Sequence, residues 1–267
     1  LNQEMEWTAD HHLTKEWLAR QGMPHIRLHH AMLVDKNVGN HIRAEQKKAA
    51  DIFKETIETL KEVVQAVHRD KASNMRKVNS VIQSMVDYVL HDKDTLVGLT
   101  NLKMYDEYTY AHCVNTAILA VATGTYLSMN KHQLSALGAA ALLHDIGKIN
   151  VPSEIINKPE ALTEEEWAIV KRHPIDGALF LCAAQNISKL AAVVSFEHHQ
   201  HGKKPYPPLK ENKRRHPFSQ IVSLADSYEA ITAMRVYYAR QVPPDKAIRI
   251  LLMNKGLTST IALLKAF

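Results

Sequence analysis

The segment Leu142-Leu143-His144-Asp145-Ile146-Gly147-Lys148 decides how the rest of this 267-residue chain is interpreted. In it, a helix-forming stretch runs into adjacent histidine and aspartate residues and then into a glycine and a lysine. Both side chains of such a pair can reach one metal ion, and the two carboxylate oxygens can bridge two ions. The segment therefore predicts a helix end that contributes to a binuclear metal site. His91-Asp92, which is followed by Lys-Asp, is instead predicted to be a surface pair.

Further histidine and aspartate residues accompany this pair in the C-terminal half of the chain. Those near predicted helix ends or faces are His112, His173, His198, His199 and Asp226. Imidazole and carboxylate ligands together suit iron, manganese, zinc or nickel better than magnesium or calcium. A single buried histidine is more often a core residue than a ligand, but five histidines and two aspartates in this order favour a metal site.

The C-terminal part of the chain has the pattern of an all-α domain. Small and apolar residues recur at helical spacing, and prolines separate the segments. The predicted helices are Tyr110–Leu127, Gln133–Leu143, Thr163–His173, Ile187–His199, Phe218–Tyr238 and Pro244–Asn254. Thr163 and Glu166 have the spacing of a capping box. The pattern predicts a compact helical bundle.

Residues 1–100 are predicted to form a separate N-terminal region, and residues 101–267 the domain that carries the site. After an irregular start, the N-terminal region contains two amphipathic helices, Lys47–Val67 and Met75–Leu90. The apolar residues of the first helix are spaced alternately four and three apart: Phe53, Ile57, Leu60, Val64 and Val67. Packing within the chain is the favoured interpretation. A homodimer through these helices is the alternative, although about two heptads are fewer than a convincing coiled coil has.

Composition narrows the class of protein. Hydrophobic residues make up 46% and charged residues 23% of the chain, which is typical of a globular protein. The weakly polar stretches Ala117–Leu127 and Leu134–Leu143 are shorter than the about 20 residues of a membrane-spanning helix, so no span is predicted.

Cys113 and Cys182 lack CxxC spacing and are expected to be buried thiols in a reducing cytoplasm. A net charge of +5 suits an anionic ligand but is weak evidence for binding long nucleic acid.

From about Leu102 to Phe267 the sequence resembles the HD-GYP domains of bacterial cyclic di-GMP phosphodiesterases, a branch of the HD superfamily. The resemblance rests on Asp106–His112, His144–Lys148, His173-Pro174, His198-His199, Tyr206-Pro207, Asp226–Ala230 and Arg235. It implies an HD-domain helical bundle with an N-terminal helical extension, which hydrolyses cyclic di-GMP to pGpG and onward to GMP. It also implies that a regulatory domain lies mostly upstream of Leu1, and it suggests a diguanylate-cyclase-type signalling partner.

The resemblance implies a role for each candidate site residue. One metal ion would be held by His112, His144, Asp145 and Asp226, and the other by His173, His198, His199 and the bridging Asp145. Two divalent transition-metal ions are expected, iron or manganese first, with nickel or zinc as alternatives. A third ion is not expected, because the glutamate that holds it in some relatives is replaced here by Tyr108.

Lys148 and Asp145 are predicted to be catalytic residues. Two cations lower the pKa of a bridging water, so that a hydroxide can attack phosphorus in line. Lys148 would place a positive charge against a non-bridging oxygen or the leaving group. The alternative is a solvated lysine after a helix end. The resemblance further implies that Tyr206 and Arg235 bind the substrate together with Lys148.

The sequence departs from the family pattern near the substrate. The family's Gly-Tyr-Pro is here Pro205-Tyr206-Pro207, and proline cannot copy the freedom of glycine. Gln200 replaces a common glutamate, Glu229 replaces an aspartate, and Tyr238 replaces a basic residue. We expect these changes to affect substrate binding and to leave the metal centre untouched. Two alternatives stay open: a signalling module that binds a cyclic dinucleotide or a partner protein with little turnover, and a phosphohydrolase for another nucleotide.

A basic loop follows the histidine pair. Its residues are Lys203, Lys204, Lys210, Lys213, Arg214 and Arg215. They could attract a dianionic dinucleotide, but a solvated surface is the more common role of such a run.

Overall fold

The computed structural model describes residues 36–68, 75–100, 108–202, 204–208, 214–233 and 242–253, and no strand occurs within these ranges. The helices are α1 (Lys36–His68), α2 (Met75–His91), α3 (Lys93–Leu99), α4 (Tyr108–Tyr126), α5 (Lys131–Leu142), α6 (Ser153–Ile156), α7 (Glu164–Val170), α8 (His173–Ala183), α9 (Leu190–Glu197), α10 (Pro217–Thr232) and α11 (Pro244–Met253). A 3₁₀ segment, Ile146–Asn150, follows α5. The predicted all-α fold is confirmed. Among the described helices, none combines the length and apolar character that crossing a membrane requires.

Helix α5 lies at the centre of the bundle. It packs against α2, α4 and α9, while α4 also packs against α10, and α8 packs against α9 and the 3₁₀ segment. Leu134, Leu137, Leu142 and Leu143 are fully buried. Burial of such a side chain contributes about 1.5–3 kcal/mol. The His144-Asp145 pair therefore follows directly on the most buried helix of the domain.

The apolar side of α1 packs within the chain. Phe53, Ile57 and Leu60 are buried in the main core, and Val64 and Val67 pack partly against it. Helix α2 contacts both α4 and α5, and one compact unit begins at Glu45. The predicted domain boundary near residue 100 stays a prediction. The predicted irregular start falls on residues 1–35, which lie outside the described residues.

Three predicted helices are longer than the observed ones; of Ile187–His199, only Leu190–Glu197 is helical, as α9. Thr163–His173 is divided, because α7 ends at Val170 and α8 begins at His173 with proline in its first turn. Pro174 lacks a backbone N–H and cannot donate to the carbonyl oxygen of Val170 four residues earlier, so one helix does not continue through it. Helix α10 ends at Thr232, and Ala233 has extended geometry with φ −65° and ψ 141°. The predicted end at Tyr238 lies outside the described residues.

Three local predictions have clear outcomes. The capping box at α7 is confirmed by hydrogen bonds in both directions between Thr163 and Glu166. Asp92 accepts a hydrogen bond of 3.1 Å from the Thr95 backbone N–H and caps α3, as suits a surface pair. Cys113 is buried, but the prediction of a buried thiol is wrong for Cys182. Cys182 lies next to buried Leu181 on α8, and adjacent helical positions point about 100° apart.

Candidate metal centre

Five helices bring the predicted ligands to one place. The side chains come from α4, the turn after α5, the start of α8, the turn after α9, and α10: in that order His112, His144 and Asp145, His173, His198 and His199, and Asp226. All are buried except His199, which is half-buried. Helix ends in a packed core hold such side chains in fixed positions, so the arrangement is preorganised.

Asp145 lies between two pairs of histidines. Its Oδ1 atom is 3.2 Å from Nε2 of His173 and 3.6 Å from Nε2 of His198. Its Oδ2 atom is 3.4 Å from Nε2 of His144 and 3.8 Å from Nε2 of His112. The two oxygens of one carboxylate thus face different pairs of imidazoles.

The remaining two side chains extend these groups. Asp226 Oδ1 lies 3.1 Å from Nε2 of His112 and 3.9 Å from Nε2 of His144. His199 belongs with the opposite group, where it, Asp145, His173 and His198 each offer a ligand atom within 4.8 Å of one another. The structure therefore brings all seven predicted side chains together in two groups that share Asp145.

Three of the histidine rings are oriented by the backbone in the same way. In His144, His173 and His198, Nδ1 lies 2.7, 2.7 and 2.8 Å from the carbonyl oxygen of the residue three positions earlier. A carbonyl oxygen only accepts, so each Nδ1 carries a proton, and each Nε2 faces Asp145 as the nitrogen that can serve as a metal ligand. The accepting carbonyls lie in or near the last turns of helices, where such groups lack backbone partners. Helix ends thus fix the tautomer that a metal ligand needs.

The unpaired atoms of the site fit a divalent cation. His144 Nε2 and Asp145 Oδ1 are buried and have no hydrogen-bond partner among the described residues. The Nε2 atoms of His173 and His198 are only 3.2 Å apart, although both rings donate through Nδ1. Buried acceptors without a partner are costly, and a cation between them would satisfy them. The nitrogen and oxygen donors match the preferences of divalent transition metals.

Glu229 is an orienting residue that sequence reasoning missed. One carboxylate oxygen contacts His112 Nδ1, and the other accepts a hydrogen bond of 3.2 Å from Asn115 Nδ2. Glu229 thus contacts a predicted ligand, and the expectation that a change at this position leaves the metal centre untouched stays a prediction. The available signal was its position three residues after Asp226 on α10, which places both on one face of the helix.

Burial and neighbouring charges shift the pKa values of the buried groups in opposite directions. Burial would lower the pKa of His112, but Glu229 and Asp226 raise it to about 10. Burial would raise the pKa of Asp226, yet His112 holds it well below its usual range. At His198 burial dominates and lowers the pKa to about 4, so that ring is neutral at neutral pH. The two carboxylates beside His112 therefore favour its protonated form.

Lys148 reaches the site from the 3₁₀ segment. Its Nζ atom donates to Asp145 Oδ2 at 2.5 Å, and its side chain is 30% exposed. Burial would raise the pKa of Asp145, but Lys148 and His144 hold it well below its usual range. Lys148 thus contacts both the shared carboxylate and the solvent side of the site, unlike a fully solvated lysine.

Gly147 lets the 3₁₀ segment approach α8. A Cβ atom at this position would lie 2.0 Å from the His173 carbonyl oxygen and 2.5 Å from the Gly177 backbone nitrogen. Real Cβ atoms do not come this close. The sequence predicted this glycine only as a helix end, so the close approach is a further feature that it did not reveal.

Tyr206 lies against His199. Its ring stacks on His199 with centroids 4.6 Å apart, and its backbone N–H donates to the His199 carbonyl oxygen at 3.3 Å. Arg235, the other predicted substrate-binding residue, lies outside the described residues. In the basic loop, Lys204 and Arg214 are exposed and Arg215 is half-buried.

A helical bundle that gathers five histidines and two aspartates around a shared carboxylate defines a metal-site protein of the HD type. The chain belongs to the HD domain family, which matches residues 89–258. It is 33% identical over 168 residues to the cyclic di-GMP phosphodiesterase PA4108 of Pseudomonas aeruginosa, a match that covers 62% of this chain and 41% of that protein. It is 35% identical over 136 residues to the cyclic di-GMP phosphodiesterase PdeB of Borreliella burgdorferi, covering 51% of this chain and 36% of that one.

A solved structure has the same fold. Bd1817, an HDG"Y"P protein from Bdellovibrio bacteriovorus, superposes with a TM-score of 0.66 over 83% of this chain and 72% of that chain, at 20% sequence identity. Together the matches confirm the predicted HD-GYP resemblance. The chain spans less than half the length of the two curated relatives.

Proposed function

We propose that this chain is a metal-dependent phosphodiesterase that hydrolyses cyclic di-GMP to linear pGpG, with GMP as the product of a second cleavage. The observation that carries the proposal is Asp145, whose two oxygens face different pairs of imidazoles at 3.2 to 3.8 Å. A carboxylate shared in this way is what a two-metal phosphoester site needs. The relatives that bear this activity in their names support the choice of substrate.

In the proposed assignment, one ion is held by His112, His144, Asp145 and Asp226, and the other by His173, His198, His199 and Asp145. Iron or manganese is proposed, and nickel or zinc would also suit these donors. When bound, such ions activate water and neutralise charge on the phosphodiester.

The chain's own residues would position and polarise the substrate. Lys148, held by Asp145, would place its positive charge against a non-bridging phosphate oxygen. Tyr206, stacked on His199, would form one wall of the substrate site. Arg235 is proposed to contact a phosphate of the substrate.

The decisive experiment counts metal and products together. Three proteins are purified anaerobically with iron or manganese: wild type, Asp145→Ala and Asp51→Ala, a control at an exposed position. The metal bound per chain is measured for each. Each protein is then incubated with cyclic di-GMP, and the products are resolved. We expect metal-dependent pGpG or GMP from wild type and the control only. Less than one metal per chain, with no further loss in Asp145→Ala, would contradict the binuclear assignment.

A second candidate function follows from the loop in which Pro205 replaces the family glycine. A signalling module that binds a cyclic dinucleotide or a partner protein without turnover would keep two metals and form no product. Cyclic GMP-AMP and cyclic di-AMP in the same assay would identify a hydrolase for another nucleotide.

The proposal also covers the oligomeric state, the signalling partner and the cellular location of the protein. A homodimer through the N-terminal helices would use the exposed side of α1, since its apolar side lies in the core. Sedimentation of the whole chain tests this. A diguanylate-cyclase-type partner and a cytoplasmic location are proposed with the substrate, and no contact with long nucleic acid is proposed.

A further inference from the structure

A group of polar nitrogen atoms lies beside the metal centre, outside the set of predicted ligands. Among the described residues, Gln200 Nε2, both ring nitrogens of His201 and Arg215 Nη1 are shielded from solvent and make no hydrogen bond. Gln200 is only 8% exposed. We call Gln200, His201 and Arg215 the donor cluster. None of them has a role in the ligand assignment above.

The donor cluster is held close to the metal centre by the fold. Gln200 and His201 directly follow the ligand His199, and the rings of His199 and His201 are 6.2 Å apart. Arg215 precedes His216, whose backbone N–H donates to the buried Glu197 carboxylate at 2.8 Å. This bond ties the start of α10 to the end of α9.

The members of the cluster differ in charge. Burial lowers the pKa of His201, Asp226 opposes that change, and Arg215 adds to it. Burial lowers the pKa of Arg215 as well, and Glu197 opposes it. Arginine nevertheless stays charged at any ordinary pH. The cluster therefore combines one fixed positive charge with an amide and an imidazole.

Donors that are buried without a partner reduce stability, so their presence at the edge of a site calls for a ligand that accepts hydrogen bonds. An amide NH₂, an imidazole N–H and a guanidinium together match a phosphate, which offers several acceptor oxygens and a negative charge. A cyclic dinucleotide carries two phosphodiesters in one ring. If one lies at the metals, the other must lie beside them.

We propose that the donor cluster binds the phosphodiester of the substrate that is not being hydrolysed. This inference rests on the proposed function. Arg215 would supply the charge, and Gln200 and His201 would supply further hydrogen-bond donors. The cluster would thereby favour cyclic dinucleotides over substrates with a single phosphodiester.

The test measures binding to metal-free protein, so that it does not depend on turnover. Affinities for cyclic di-GMP and for inorganic phosphate are compared in wild type, Arg215→Gln and Arg249→Gln, a control that removes an exposed charge on α11. We expect Arg215→Gln to lower the binding affinity for both ligands about 10-fold, which corresponds to the loss of one charged hydrogen bond. The control should stay within about twofold of wild type. Any other pattern overturns the proposal.

Gln200→Met provides a second variant. It removes a donor that has no partner in the free protein, so it should not lower the melting temperature, yet it should weaken cyclic di-GMP binding. A lower melting temperature with unchanged affinity would show a structural role and contradict the proposal. Hydrolysis of cyclic di-GMP by metal-loaded wild type is assayed in parallel. If no hydrolysis occurs, the proposed function fails, while the binding comparison still decides the donor cluster.

Discussion

At the level of single side chains, the metal centre depends on ring orientation as much as on ligand identity. Three histidines are oriented by backbone carbonyls, whereas His112, in the second turn of α4, is oriented by Glu229. A side-chain carboxylate can be changed without altering the backbone. His112 is therefore the ligand whose orientation is easiest to test.

Glu229→Gln should weaken metal binding while leaving the fold intact. Glutamine keeps the size of the side chain but removes the negative charge. That charge orients the His112 ring and raises the basicity of the ring. Loss of such an outer partner typically costs about 10- to 100-fold in metal affinity. Competition with a chelator measures the change, with Glu154→Gln on the exposed surface of α6 as control. Equal affinity in both variants would show that Glu229 does not support the ligand.

Metal binding should release a proton from His112. Its pKa is raised to about 10 in the metal-free protein, so the ring is protonated at pH 7.5, and a ligand must be neutral. Metal affinity should therefore increase with pH up to about 10. Calorimetry in two buffers of different ionisation enthalpy measures the release, to which this residue contributes about one proton. The same release in Glu229→Gln would contradict the stated cause.

The sequence predicted the seven candidate ligands because histidine and aspartate near helix ends are uncommon and their order is informative. It did not reveal that Glu229 contacts His112, because 117 positions separate them. Contacts over such distances depend on how α4 and α10 pack. The ligand roles and those of Lys148, Tyr206 and Arg235 stay predictions.

At the level of secondary structure, the 3₁₀ segment and α8 form the closest junction in the site. Gly147→Ala should destabilise the protein by more than the about 1–3 kcal/mol of ordinary overpacking, because the new Cβ would meet backbone atoms of α8. Movement of the segment would also displace Lys148 and lower metal content.

Thermal unfolding measures this effect, and Gly98→Ala is the matched control. A Cβ at Gly98 meets nothing within 4 Å, and alanine is favoured over glycine in a helix by about 0.8–1.0 kcal/mol. We expect the melting temperature to fall in the first variant and to rise slightly in the second. Similar melting temperatures would mean that α8 can move away at little cost.

The presence of the helices could be predicted from apolar spacing and capping residues, but some of the helix ends could not. The division between α7 and α8 combines a proline with the bond from His173 Nδ1 to the Val170 carbonyl oxygen. Apolar periodicity continues across this point, so the pattern alone favours one helix. The division matters, because it is what directs the His173 ring toward Asp145.

At the level of the whole molecule, the main core continues across the predicted boundary near residue 100. Val78, Ile82 and Met85 of α2 are buried in the same cluster as Leu134 and Leu137 of α5. Because α5 leads directly into His144 and Asp145, loss of α2 would uncover the helix that positions the metal centre.

A chain that begins at Asn101 should therefore lose cooperative unfolding and metal binding, whereas one that begins at Glu45 should keep both. Each large side chain removed from a buried interface costs about 2–5 kcal/mol, and α2 contributes several, which approaches the about 5–15 kcal/mol of total stability in a typical domain. Circular dichroism melting and metal content per chain distinguish the two. If the shorter chain melts within a few degrees of the whole protein and binds metal equally, the boundary near residue 100 separates two independent domains, and α1 and α2 are an extension that the metal centre does not need.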